Sequence, residues 1–189
     1  MWQQRWQSWQ QNRPRLHRDG VSLPGKLVLS KLQQWLNNER LSIDDLLLDE
    51  HGAVFWLTLH HPARTILQLH CRQPVAGGPD GALQLHYQIK GDPAQAGLRG
   101  HALAKLASLA GNSQMAANLL QRLLADLPWV SISAQHLTIY WRDITALQQW
   151  LHTLPLAGKV LNQFDIAALS TGDDHLRLQL KRRQPSNQG

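Results

Sequence analysis

Ten histidines, the single Cys71 and three pairs of adjacent carboxylates are the residues of this 189-residue chain most able to do chemistry. Their spacing argues against it. His60-His61 and His70-Cys71 fall on neighbouring stretches that read as strands. Adjacent strand residues point to opposite faces, so at most one of each pair could reach a shared metal. The histidines therefore read as solvent-facing strand residues. Cys71 lies within a strand, away from any helix N-terminus that would favour its thiolate. Asp44-Asp45, Asp49-Glu50 and Asp173-Asp174 sit close to turns and read as solvated carboxylates. "GLRG" at 97–100 could offer backbone N–H groups to a phosphate, but two glycines before a helix read more simply as a turn. No Walker-type loop, G-x-S-x-G elbow or H-E-x-x-H helix occurs. The expectation is a non-enzyme with no catalytic constellation, metal site or cofactor.

The other unusual residues are aromatic. "WQQRWQSWQ" at 2–10 places Trp2, Trp6 and Trp9 on one face of a helix, by their i, i+4, i+7 spacing. If half of each ring docks, roughly 300 Å² of apolar area contributes about 7 kcal/mol gross, comparable to the entropy of ordering the segment. Such a helix is marginal alone and forms on a surface. With Arg5, Arg13, Arg15 and Arg18 beside the rings, that surface is expected to be an anionic membrane or the groove of a protein partner. The net charge of +6 has the same origin. Residues 1–18 hold four arginines and no acid, Lys181–Arg183 add three cations, and residues 19–180 hold 12 basic against 13 acidic side chains. A neutral body with basic ends argues against a nucleic-acid groove.

One chain of this length suits a single domain without disulfide staples. The expected division is a docking segment at 1–18, an α+β domain at 19–182 and a tail at 183–189. No apolar run approaches a membrane span and residues 1–20 lack a secretory h-region. A complete chain would be cytoplasmic or membrane-peripheral, and a chain that had lost a signal, periplasmic.

"NRPRLHRDG" reads as a linker, broken by Pro14 and turning at Asp19-Gly20. "KLVLSKLQQWLN" at 26–37 has helical spacing. "LSIDDLLLDEHG", "AVFWLTLHH", "RTILQLHCRQ" and "ALQLHYQIK" read as strands, with "PVAGGPDG" a loop before the last. Residues 98–127 read as two helical segments meeting near Gly111-Asn112. "WVSISAQHLTIYW" reads as one strand with a β-bulge at "AQH", because apolar parity slips there. A short helix with Asp143 as N-cap follows, then strands "VLNQFDIAAL" and "HLRLQLKRR" around "STGDD". This order predicts an α+β fold, a curved antiparallel sheet packed on central helices. "LQQWL" at 32–36 and 147–151 opens a helix, strand, acidic turn, strand order each time, which suggests two related helix-on-sheet halves.

The segment 98–127 is rich in Leu and Ala. Leu103, Leu106, Ala107, Ala110, Leu119, Leu120 and Leu123 on such helices would make a core against the sheet, or a cleft for an acyl chain if helix and sheet separate. The stretches "LSIDDLLLDEHGAVFWLTLHH" and "PLAGKVLNQFDIAALSTGDDHLRLQLK", with the central helices between them, resemble in order the bacterial branch of the tubular lipid-binding (TULIP-like) proteins. That resemblance spans roughly residues 21–182 and rests on the rhythm of elements. It implies a curved sheet wrapped around a long helix and an apolar tunnel that binds lipid without catalysis. Relatives of that kind are commonly exported or lipid-anchored, and this sequence shows neither signal nor lipobox. The expected function is binding of a lipid or other apolar ligand at a membrane surface, with a protein–protein adaptor docking through its tryptophans as the alternative.

Overall fold

Strict alternation of apolar and polar residues produces strands nearly everywhere it occurs. A computed structural model describes residues 13–61, 64–77, 82–91, 114–134, 136–153 and 164–182. In chain order its elements are β1 (Arg15–His17), β2 (Gly20–Pro24), α1 (Gly25–Leu36), β3 (Leu41–Asp49), β4 (Gly52–Leu59), β5 (Thr65–Gly77) and β6 (Leu83–Gly91). There follow α2 (Gln114–Leu123), β7 (Val130–Ile132), β8 (His136–Ile139), a 3-10 turn (Trp141–Asp143), α3 (Thr145–Thr153), β9 (Phe164–Gly172) and β10 (His175–Arg182). All strand pairings among the described residues are antiparallel. The α+β class is as expected.

The ten strands form one sheet that forks. β5 is long enough, at 13 residues, to serve two neighbours on one edge. Thr65–Arg72 pairs with β4, and Val75–Ala76 with β9. Its other edge pairs with β6 on both sides of a register shift between Arg72 and Ala76. One branch is then β4–β3, the other β9–β10–β2–β1, and the stem continues through β6–β8–β7. The two branches are stitched where their hairpins turn. Thr171 Oγ1 donates to the carbonyl of Asp49 at 2.7 Å and Asp174 N to that of Leu48 at 3.3 Å; within the second branch, Gly25 N donates to the carbonyl of Asp174 at 2.7 Å.

Burial follows the alternation. Leu83, Leu85, Tyr87 and Ile89 of β6 are buried, while Gln84, His86 and Lys90 are exposed. In β3 the apolar face slips from Leu41 and Ile43 to Leu46 and Leu48. A β-bulge between Ile43 and Asp45 absorbs the slip, so all four stay buried with Asp44 and Asp45 outside. Leu29, Leu32 and Leu36 of α1 and Leu120 of α2 join the same apolar cluster. Asn37, which ends α1, accepts the N–H of Ile43 through Oδ1 at 2.8 Å, and Gln33 Nε2 donates to the Ile43 carbonyl at 2.9 Å. The free edge of β3 is thereby covered at its bulge.

Several local readings need correction. Arg15–His17, read as linker, is β1, paired with Gly20–Ser22 across a turn at Arg18-Asp19. Arg177 holds Asp19 at 2.8 Å from β10. Pro74–Gly77, read as loop, extends β5, because β9 supplies a partner from far along the chain. "WVSISAQHLTIYW" is a hairpin. Val130 pairs with Ile139 and Ile132 with Leu137, and Ser133 N donates to the His136 carbonyl at 2.8 Å. The parity slip was chain reversal, which puts both apolar sets on one face. Asp143 caps no helix. It closes the 3-10 turn, and Gln148 N reaches back to Ile144 instead. Both "LQQWL" copies do lie in helices, α1 and α3. The next hairpins turn at Glu50-His51 and Asp173-Asp174, the latter pair at φ of 49° and 57°, the left-handed conformation that Asp tolerates. No helix among the described residues is long and apolar enough to cross a membrane.

Candidate functional site

A cavity of about 250 Å³ lies between the β3–β4 branch, the stem and the first turns of the other branch. Alternation supplies most of its wall. β3 contributes Leu41, Ile43, Leu46 and Leu48; β4, Ala53, Phe55 and Leu57; β5, Leu69 and Cys71; β6, Leu85; β8, Leu137 and Ile139. Val28, Leu32 and Leu36 of α1 close one side. Leu120 of α2, with Leu124, Leu127 and Trp129 beyond it, closes another. Leu169, Thr171 and Leu176 of the β9–β10 hairpin complete it. The cavity lies beside the fork, where β5 passes from β4 to β9 as its partner on one edge.

The wall is almost wholly hydrocarbon. Thr171 presents a hydroxyl, but that group is already donated to Asp49. The Cys71 thiol is so desolvated that its pKa is pushed up to about 12, which keeps it protonated and unreactive near neutrality. Arg72 is the one charged residue among the described lining, and the one exposed residue. Opposite it stands Gly52, at φ 145°, where an added Cβ would strike the Cys71 carbonyl oxygen. The reverse face of these strands is polar: Gln68, His70 and Arg72 on β5 lie beside Lys90, Gln88 and His86 on β6. His70 has its pKa lowered first by burial and then by the cations Lys90 and Arg72, with Asp49 opposing.

Of the residues expected to form an apolar cleft, Leu120 lines the cavity and is 1% exposed. Leu119 and Leu123 lie on the same helix, α2, with side chains outside the described set. Leu103, Leu106, Ala107 and Ala110 fall outside the described residues, as do Trp2, Arg5, Trp6, Trp9 and Gly97–Gly100. Arg13 precedes β1, Arg15 opens it and Arg18 occupies its turn, all three exposed. His60 and His61 are exposed just beyond β4. His70 and Cys71 face opposite sides of β5, and among the described residues no three His, Cys, Asp or Glu side chains converge as a metal site.

β3, β4, β5 and β8 supply most of the described lining, none of which sequence reading picked out; of the cleft expected on the central helices, Leu120 is the one residue whose side chain is described, and it lines the cavity. The signal available was the double apolar parity of β3, Leu41/Ile43 then Leu46/Leu48, which keeps one face apolar across a bulge. No protein-family model, curated protein or solved structure matches the chain.

Proposed function

We propose that this protein binds a lipid or other apolar ligand without catalysis, at a membrane surface. The observation that carries the reading is the cavity of about 250 Å³ with its nearly unbroken hydrocarbon wall. A void of about 150 Å³ lined by such side chains stays dry and takes up benzene, so a larger one is a poor site for water and a good one for an alkyl chain. A chain of about eight methylenes would gain about 6 kcal/mol gross on leaving water. That corresponds to binding on the order of tens of micromolar before the costs of ordering. A curved sheet around an apolar tunnel, as in the TULIP-like proteins this sequence resembles, would suit the same task. Membrane association rests on the spacing of Trp2, Trp6 and Trp9 among arginines.

Two measurements separate the parts. Native mass spectrometry and solvent extraction of the purified protein should find a co-purified apolar molecule, and Ala53→Phe, which adds a ring at the cavity wall, should weaken uptake of an apolar fluorophore at least tenfold. Stoichiometric uptake equally strong in Ala53→Phe, or none in either protein, would sink the ligand reading. Deleting residues 1–12 stops short of β1. It should abolish flotation with anionic liposomes while leaving fluorophore uptake intact; undiminished flotation would remove the tryptophans from the membrane role.

A further inference from the structure

We infer that the β7–β8 hairpin closes the cavity at neutral pH and opens it in acid, through the stacked histidines His86 and His136 that join the hairpin to β6. This rests on the ligand reading above and supplies a regulation for that site.

The hairpin is a wall held by one ladder. Val130, Leu137 and Ile139 line the cavity, with Trp129 just before them. Among the described residues the hairpin's strand partner in the rest of the sheet is β6, through the pairs Leu83–Ile139, Gln84–Thr138, Leu85–Leu137 and His86–His136. The last pair ends the ladder beside the chain reversal that follows Ile132, and ladder ends are where local opening starts. Two contacts hold that end. Tyr87 Oη donates to the Ser133 carbonyl at 2.8 Å, and the two imidazoles lie with centres 4.1 Å apart and planes at 53°.

The charge around the stack is of one sign. β5, β6, β7 and β8 contain no Asp or Glu. Arg72, His86 and His136 are register partners in a single row across β5, β6 and β8. The same face carries His70 on β5 and Lys90 on β6, with Gln68, Gln84, Gln88, Thr138 and, on β7, Ser131 as its neutral members. Burial, then Lys90 and Arg72, hold the His70 imidazole below its ordinary pKa, with Asp49 of β3 opposing. Histidine gains its charge between about pH 8 and about pH 5. Neutral, His86 and His136 stack. Charged, two rings in contact beside a guanidinium repel, and like charges directly opposite each other destabilise a strand pair. Parting the ladder separates these charges, so the open form takes up protons more readily and gains population as pH falls. The leucine and isoleucine of β8 then leave the cavity wall.

Uptake of an uncharged apolar fluorophore by the full chain, at about pH 7.5 and about pH 5.5 on either side of the histidine range, tests this beside amide exchange of the ligand-free protein. Affinity should fall about tenfold in acid, the factor per pH unit when opening takes up one proton. Exchange in peptides covering β7–β8 should quicken relative to β4, a ratio that cancels the intrinsic effect of pH. His86→Gln and His136→Gln should each remove most of both responses and His70→Gln should leave them; circular dichroism checks that the variants fold. Responses that persist without His86 or His136, or quickening that extends equally to β4, overturn the acid opening and leave the ligand reading standing. Uptake at neither pH overturns the ligand reading, and the exchange ratio alone then upholds or overturns the opening.

Discussion

Gly52 shows how much one position can carry. Its φ of 145° is open to glycine and to little else, and any Cβ there meets the Cys71 carbonyl. Gly52→Ala should therefore lower stability by about 3 kcal/mol, read as a fall in the urea midpoint at unchanged slope. A midpoint within error of the parent would contradict the strained geometry. Cys71, across the ladder, gives a second test. Its folded pKa of about 12 lies above the ordinary 9.0, so the folded chain holds the thiol proton more tightly than the unfolded one. The stability this represents is complete below pH 9 and is lost as pH rises toward 12. Alkylation at pH 8 should be more than a hundredfold slower, by about that ratio of thiolate, in the native protein than in urea. Comparable rates would place the thiol in water. The sequence located Cys71 within a strand. It could not report the desolvation, which depends on β4 and β6 lying on either side.

At the scale of elements, what was legible was what is local. Leu83, Leu85, Tyr87 and Ile89 alternate without interruption and form a strand buried on that face. Leu29, Leu32 and Leu36 give α1 an apolar stripe, and the helix runs within a residue of the stretch expected. The β7–β8 hairpin was missed because Ser133–His136 contains no Gly, Pro, Asn or Asp to announce a turn. The end of β5 was missed because a Pro and three small residues announce a loop, and only Leu169 and Ala168 arriving from β9 make them a strand. β3 offers the clearest test at this scale. Its outer edge is held at the bulge by Asn37, whose side chain is the acceptor for the Ile43 N–H. Asn37→Ala leaves that donor partly buried and unmet, which should cost about 1–2 kcal/mol. It should also speed amide exchange at Ile43 ahead of its neighbours in β4. Exchange unchanged at Ile43 would mean the edge is closed by other groups.

For the molecule as a whole, fold class was legible and the position of the cavity was not. Apolar periodicity says which face of each strand is buried, so an antiparallel α+β domain followed from the sequence. It does not say that β5 changes partner after Arg72, beside the cavity. Leu120 was picked out as a wall residue because it is apolar on a helix, a property it shares with ordinary core leucines. The same fork sets the timetable of synthesis. Leu23 in β2 pairs with Leu176 in β10, and Asp49 is stitched to Thr171. At about 5–20 residues per second, on the order of ten seconds separate the appearance of β2 from that of its partner on the ribosome. Through that interval β2 has only three-residue β1 beside it as a strand partner. The nascent chain is then most exposed to aggregation, and a chaperone has its longest opportunity to engage it before the last hairpin seals the branch.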